Sequence, residues 1–571
     1  MISISHMELA TSSSLNFSSP NFVQLYKTRN LFSSRPYWLE ASKHGGVRGR
    51  QSRLLQASLN IFASKANLVQ RRSANYHPSI WNHELIESLS TPHQYELYGN
   101  RSEELKEEVR KLLASTNESC ERLKLIDSMQ RLGVAYHFEE EIKEALNLHR
   151  KDVMITRDLH ATALQFRLLR EHGHSINSGN NKLEISEIVS EQVQQSLEIP
   201  LHWRMPRFEA LKFIYLYTKT DLVDDHNSLV LLELAKLDYN LVQSIHQQEL
   251  KELSRWWSQL GFKENLRFSR DRLMENYLWA MGINFEPQFS KCRIGLTKFV
   301  CILTAIDDMY DVYGSLDELE LFTDAVKRWD VRAMEDLPYY MKICYFAMFN
   351  FANDLAFDVL KHHGLNVISE IRTQWTNLCG SYMVEARWFS RGYTPTVKEY
   401  LENSWISVGG PAAIVHAYLL QLQGCNLTNN SLDCLKHGSD LIYWSSIITR
   451  LADDLGTSTD EIKRGDVAKT IQCYMNEEDV SEEEARDHIK GLISNLWKKV
   501  NEIKIKKNND LPKSMVKMCL NMARTAQCIF QHGDGIGTSI GVTKDLLISL
   551  ILKAVPINQE KSSCRVSVNV E

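Results

Sequence analysis

Two short runs of this sequence carry oxygen donors at spacings that suit a hard cation. The first is Ile306-Asp307-Asp308-Met309-Tyr310-Asp311, which follows the apolar run Val300 to Ile306. On a helix, Asp307 and Asp311 differ by about 40° in azimuth, so their carboxylates leave one face a turn apart. Acids four apart repel, and no basic residue in the run relieves them. Such a pair suits Mg2+ bound partly through a substrate's phosphates, although a lone DDxxD reads equally well as a solvated helix end. The second run places Asp453, Thr457 and Glu461 at i, i+4 and i+8. They span about 80° of one helix face and offer an oxygen-only site for one Mg2+. Gly456 permits close approach, and Arg450, one turn earlier, could bind a phosphate oxygen. Two such helices facing each other over an apolar cavity would hold a diphosphate at the rim and point its hydrocarbon inward.

Competing chemistries find less support. Gly533-Asp534-Gly535-Ile536-Gly537 has no following Lys-Ser/Thr and no preceding strand, which argues against a phosphate cradle. The nineteen histidines show no HExxH spacing, and His77, His83 and His532 read as hydrogen-bonded structural groups. No GxSxG supports a serine nucleophile. The eleven cysteines form no CxxC pair and read as small buried apolar groups in a reducing compartment.

The elements that must carry these residues read as helices nearly throughout. Only 25 glycines and 12 prolines occur in 571 residues, against average usages of about 7% and 5%. Ser481 with Glu484 and Thr396 with Glu399 form capping boxes, the first followed by Ile489, Leu492, Ile493, Leu496 and Val500 at helical spacing. Alternating strand-like runs are scarce, and the clearest loop spans residues 173–181. With 43% hydrophobic residues the chain can build a sizeable core, and a net charge of -5 argues against a nucleic-acid binder. Residues 1–70 stand apart, with eight Lys/Arg, two acids and thirteen serines. That composition reads as an organelle transit peptide. No membrane span is expected, since the uncharged stretch 405–423 is interrupted by Gly409, Gly410 and Pro411.

Taken together, the motifs resemble the plant terpene synthases, and within them the angiosperm monoterpene synthase group. Asp307, Asp308 and Asp311 match that family's DDxxD, and Asp453 to Glu461 match its second metal motif. Arg71-Arg72 with Trp81 match its RRx8W element, and Arg270-Asp271-Arg272 its RxR element. Leu201-His-Trp-Arg-Met-Pro-Arg207, Phe285-Glu-Pro-Gln288 and Gln531-His-Gly-Asp534 extend the likeness, which covers about residues 71 to 556.

The resemblance implies an all-α protein of two helical domains. An N-terminal α-barrel-like domain would span 71–234, and a class I terpene synthase domain 235–571. It implies three Mg2+ ions, with Mn2+ as a substitute. Asp307 and Asp311 would bind two of them with Asp308 in support, and Asp453, Thr457 and Glu461 the third. Arg270, Arg450 and Lys469 would grip the departing diphosphate, Arg272 would help shield it, and Trp279 and Tyr382 would line the cavity. Arg71, Arg72 and Trp81 would fold over the site as a cap. The expected substrate is a small prenyl diphosphate, geranyl diphosphate first, in the plastid stroma. A farnesyl-diphosphate-using sesquiterpene synthase and a non-catalytic paralogue are the alternatives, and monomer versus homodimer stays open. Two departures stand out. The N-terminal domain looks shortened near 174–197. Val300 stands where many relatives have Asn, which mildly favours a hydrocarbon product, and Phe530 and Ile536 stand where some cyclising relatives have Tyr and His, so the base that quenches their cation is missing.

Overall fold

The computed structural model describes residues 71–149, 159–172, 199–219, 226–421, 440–505, 512–537 and 540–557. The expected leader, the loop at 173–181 and the shortened stretch 174–197 lie outside the described residues. Among those described, the chain forms helices and connecting turns, with no strand.

Local sequence sets the helix starts. Thr396 and Glu399 cap the helix Val397–Ser407 reciprocally, and Ser481 and Glu484 do the same for Glu482–Ile505. A third box, Ser315 with Glu318, opens Leu316–Arg328. Gly409, at φ 76°, breaks the chain between Val397–Ser407 and Gly410–Leu420 at the cavity wall.

Buried apolar residues fall into two clusters within one compact unit that runs from Val69 onward. One centres on Phe299, Tyr345, Trp375, Ile448 and Trp497. Truncating a fully buried ring such as Trp375 to alanine costs about 3–5 kcal/mol in sites of this kind. The other joins Leu105, Phe138, Leu168 and Ile214 to Leu234, Tyr277, Leu547 and Val555. The 35-residue helix His226–Leu260 runs through position 235 without a break and serves both. Along it, the amides of Asn240, Gln243 and Gln247 donate to the carbonyls of Val555, Leu550 and Ile551. These carbonyls lie at or just beyond the π-turn Ile548–Leu552, so the chain's last described turn is tied to its middle. A buried Arg293–Glu249 pair at 2.6 Å fixes the helix Ser290–Asp308 against the same long helix.

One helix, Tyr339–His363, is long and apolar enough by composition to cross a membrane. It packs instead into the first apolar cluster through Met341, Cys344, Tyr345, Met348 and Ala352. The eight cysteines among the described residues are free thiols, six of them buried.

Candidate active site

The first wall is the end of the helix Ser290–Asp308. Its apolar run packs into the core, and the chain then widens into a π-turn, Met309–Tyr313, closed by Gly314 N–H donating to Met309 O at 2.8 Å. Insertions of this kind recur at functional sites. The regular helix expected through Asp311 therefore stops at Asp308, yet Asp307 and Asp311 still face one cavity. Asp308 turns behind them and is fully buried. It accepts hydrogen bonds from Ser269 Oγ (3.1 Å) and the Arg270 backbone N–H (2.7 Å), and pairs with Arg270 Nε at 2.8 Å. Arg270 Nη2 reaches Asp307 at 2.6 Å.

The second wall is the continuous helix Asp440–Arg464. Asp453, Thr457 and Glu461 face the cavity along it, with Thr457 Oγ1 donating to Glu461 at 3.1 Å. Arg450 pairs with Asp453 and, at 2.7 Å, with Asp454. Asp454 is fully buried and accepts from Tyr400 OH (3.2 Å), Thr470 N–H (3.0 Å) and Thr470 Oγ1 (2.5 Å). Those bonds fix the start of the helix Thr470–Glu478, which sets Lys469 4.0 Å from Asp311 and 3.7 Å from Glu385. Gly456 is the close approach expected of it: an added Cβ would meet Phe530 Cβ and Gly533 O at 2.9 Å.

Between the walls lies a cavity with about 150 Å³ of free space. Its inner surface is Trp279, Phe299, Val300, Leu303, Met522 and Phe530, with Thr449 and Tyr382 beside the acids. A larger groove of about 870 Å³, near Trp256, Lys298, Phe346 and Phe357, carries Glu252, Asp354 and Asp358, of which Asp358 already pairs with Lys291.

The segment at the start of the described chain covers the mouth. Arg71 donates to Glu318 (2.8 Å) and to Tyr313 O (3.1 Å). Arg72 donates to Asp466 (2.6 Å) and Asp311 O (3.0 Å), and its guanidinium lies 4.4 Å from the Phe389 ring. Trp81 is buried and donates to Glu275 at 3.2 Å. Tyr76 enters the cavity lining, with the Arg270 and Arg464 guanidinium groups 5.2 and 6.0 Å from its ring.

The electrostatics of the two walls test whether divalent cations suit them. Burial pushes the Asp311 carboxyl well above its ordinary range; Lys469 opposes this, while Asp307, Glu385 and Asp466 add to it. Burial also raises Glu461 against Lys469, and Asp308 against Arg270. Lys469 stays firmly protonated because Glu461, Asp311, Tyr400 and Glu385 outweigh its own desolvation. Among the described residues no three His, Cys, Asp or Glu side chains close into a finished cage. The acids instead lie against Arg270, Arg450 and Lys469. Hard oxygen donors, with Asp311 and Glu461 held above their ordinary range by burial, fit Mg2+, and the cations beside them fit the diphosphate that such ions accompany.

Ten of the residues given metal, diphosphate or aromatic-lining roles in the sequence thus line one cavity: Arg270, Trp279, Asp307, Asp311, Tyr382, Arg450, Asp453, Thr457, Glu461 and Lys469; Val300, Phe530 and Ile536 line it too. Asp308 and Arg272 do not line it, because each spends its polar atoms behind the wall. Arg71, Arg72 and Trp81 hold the covering segment from outside. Sequence reasoning missed Tyr76, Glu385 and Asp466. Tyr76 lies within the RRx8W element and was open to inference there, whereas Glu385 and Asp466 stand at no telling spacing.

An all-α fold that sets two oxygen-donor walls at the rim of a cavity with an apolar inner surface defines an enzyme class with room for an anionic head and an apolar body. Residues 258–499 match "Terpene synthase family, metal binding domain", and residues 80–182 match "Terpene synthase, N-terminal domain". A trans-ocimene synthase, named chloroplastic, from Litsea cubeba is 53% identical over 541 positions, covering 86% of this chain and 92% of its own. A crystal structure of limonene synthase with 2-fluorolinalyl diphosphate superposes with TM-score 0.80 at 38% identity, covering 85% of this chain and all of that one. Isoprene synthase from grey poplar (Populus x canescens), in complex with three Mg2+ ions and dimethylallyl-S-thiolodiphosphate, gives TM-score 0.73 at 35% identity, over 83% and 99% of the chains. The chain belongs to the terpene synthase family.

Proposed function

We propose that this protein is a monoterpene synthase of the plastid stroma, a lyase that ionises geranyl diphosphate with Mg2+ and converts the allylic cation to a ten-carbon hydrocarbon. The carrying observation is the pair of acid walls, with Arg270, Arg450 and Lys469 between them, at the rim of an apolar cavity under a covering segment. Asp307 and Asp311 would hold two ions, and Asp453, Thr457 and Glu461 the third, with Mn2+ able to substitute. When bound, the ions neutralise the diphosphate and stabilise it as a leaving group.

The chain's own residues supply the rest. Arg270, Arg450 and Lys469 bind the diphosphate oxygens as the C–O bond breaks and its electron pair leaves with oxygen. Trp279 and Tyr382 present aromatic faces to the cation, which attract it without attacking it. Arg71, Arg72 and Tyr76 keep water out until a proton is lost. Val300 offers no polar group to hold water, which mildly favours an alkene.

An N-terminal helical domain over 71–234 and a catalytic domain over 235–571 remain the division we favour, sharing the helix His226–Leu260. A shortened N-terminal domain accords with the alignment to the Litsea relative, which spans 541 positions while covering 86% of a 571-residue chain and so carries gaps on this chain's side. The basic, serine-rich leader and that relative's chloroplastic name support a plastid address.

The test is turnover by protein lacking residues 1–70, with geranyl and farnesyl diphosphates and gas chromatography of the products. A ten-carbon volatile with released diphosphate is expected. A strict preference for farnesyl diphosphate would transfer the reading to a sesquiterpene synthase. Thermal stabilisation by Mg2+ and diphosphate with no turnover would make it a non-catalytic paralogue.

A further inference from the structure

Arg272 stands two residues from a rim cation, yet its guanidinium never reaches the cavity. The side chain is fully buried and binds only backbone carbonyls. Nη1 donates to Asp271 O (2.8 Å), Nη2 to His77 O (2.7 Å) and Gly537 O (2.7 Å), and Nε to Ile536 O (3.0 Å). Two segments far apart in sequence therefore meet on one side chain: the covering segment near His77, and the loop 530–537. The residues at those junctions, Tyr76 and Ile536, both line the cavity.

The geometry around Arg272 agrees with that use. Asp534 accepts from the Ile536 N–H (3.0 Å) and the Gly537 N–H (2.6 Å), folding the loop so that both carbonyls are offered together. Trp81 Nε1 donates to Glu275, three residues beyond Arg272, a second tie between the covering segment and the same helix start. A planar fork of donors spans three carbonyl directions at once, which a lysine ammonium on a flexible stem does not do.

We propose that Arg272 is a positioning residue that joins the covering segment and the 530–537 loop into a single closure, holding Tyr76 and Ile536 against water. The inference rests on the reading above, in which an allylic cation forms in this cavity. Its consequence is a choice between two fates. Loss of a proton from the cation gives an alkene. Attack by water forms a C–O bond, releases a proton from that water and gives an alcohol. Arg272 favours the first by keeping both segments shut, whereas Arg270 grips the leaving group.

The test uses the full chain as wild type, Arg272→Lys, Arg272→Met and Arg270→Lys. For both Arg272 variants the alcohol-to-hydrocarbon ratio rises about fivefold or more, while inhibition by inorganic diphosphate with Mg2+ stays within about twofold of wild type. Hydrogen exchange rises at residues 72–81 and 530–537 together. Arg270→Lys weakens diphosphate inhibition instead. Loss of diphosphate inhibition by the Arg272 variants in step with Arg270→Lys would overturn the proposal. So would faster exchange in one segment alone, or lowered thermal stability with an unchanged product ratio. If Arg272→Met does not fold, Arg272→Lys decides. If wild type makes no product from geranyl diphosphate, the substrate reading fails, and the exchange measurement still judges the closure.

Discussion

The two acid walls use the same pair of letters in the same way and differ in how far they reach for help. In each, the first aspartate of an Asp-Asp pair faces the cavity and the second is fully buried: Asp307 and Asp308 on one side, Asp453 and Asp454 on the other. In each, one arginine pairs with both acids. Arg450 comes from one turn earlier on its own helix, but Arg270 comes from 37 residues away in sequence. The buried acids then each place a cation: Asp308 fixes Arg270 through its backbone N–H, and Asp454 fixes Lys469 through Thr470. One aspartate of each pair thus faces the cavity, where the proposed function puts metal, and its neighbour positions a cation beside it.

The largest effect should come from the facing acids. Asp307→Asn, Asp311→Asn or Glu461→Gln is expected to lower kcat by on the order of 10³-fold, as loss of an electrostatic contact to a leaving group does, and chelation with EDTA should abolish turnover. The same changes at Asp311 and Glu461 should raise the melting temperature of metal-free protein, because burial already disfavours their charged forms. A melting temperature that falls for both would show that the acids serve stability and not metal.

The buried acids should behave in the opposite sense. Asp454→Asn leaves Arg450 and Thr470 without their anionic partner, and removal of one member of a buried pair costs about 3–5 kcal/mol. Chemical denaturation should show that loss, together with a fall in kcat/KM of about 10- to 100-fold as Lys469 drifts. Asp308→Asn should lower kcat/KM through Arg270 with a smaller loss of stability, because burial already holds the Asp308 carboxyl above its ordinary range. If either variant kept full stability and lost activity as deeply as Asp307→Asn, the division of labour within the pairs would be wrong.

How much of this was legible in the sequence follows the same line. The helical architecture, the capping boxes, and Asp453, Thr457 and Glu461 on one face follow from short-range periodicity, and they stand as read. The reach of Arg450 to its acids is an i, i+3 and i, i+4 relation and could be read too. The π-turn at Met309–Tyr313 could not, since no local residue demands it. Nor could the burial of Asp308, which depends on Ser269 and Arg270 arriving from another segment. Arg272 shows the limit most plainly: one motif holds two arginines two residues apart, and only tertiary packing turns one toward the cavity and the other toward three segments' carbonyls.

The covering segment offers a smaller effect than either wall. Arg71 and Arg72 remain 27% and 33% exposed, so their pairs with Glu318 and Asp466 are partly screened. Arg72→Ala should lower kcat/KM by about tenfold, since its contacts reach the Asp311 carbonyl and Asp466, while Arg71→Ala should cost less. Steady-state kinetics with geranyl diphosphate would rank them, and the reverse ranking would move the critical contact to the Glu318 side.

The smallest effect separates the covering segment from the walls by pH. Burial works against ionised Glu318, but hydrogen bonds from Arg71, Ser315 and Tyr340 outweigh it and hold its pKa at about 2. Because that value lies below the ordinary one of about 4.3, Glu318 lends stability above that ordinary value and loses it as pH falls toward 2. Asp311 and Glu461 carry the opposite sign: their raised values mean that acidification relieves metal-free walls. The acid limb of thermal stability should therefore be shallower in Glu318→Gln than in wild type, and no shallower when Arg71→Met is added. It should be steeper in Glu461→Gln, where one source of relief has gone. Equal slopes in Glu318→Gln and wild type would mean that the covering segment's hold on Leu316–Arg328 does not depend on this carboxylate, leaving Arg72 and Trp81 to keep the cavity covered.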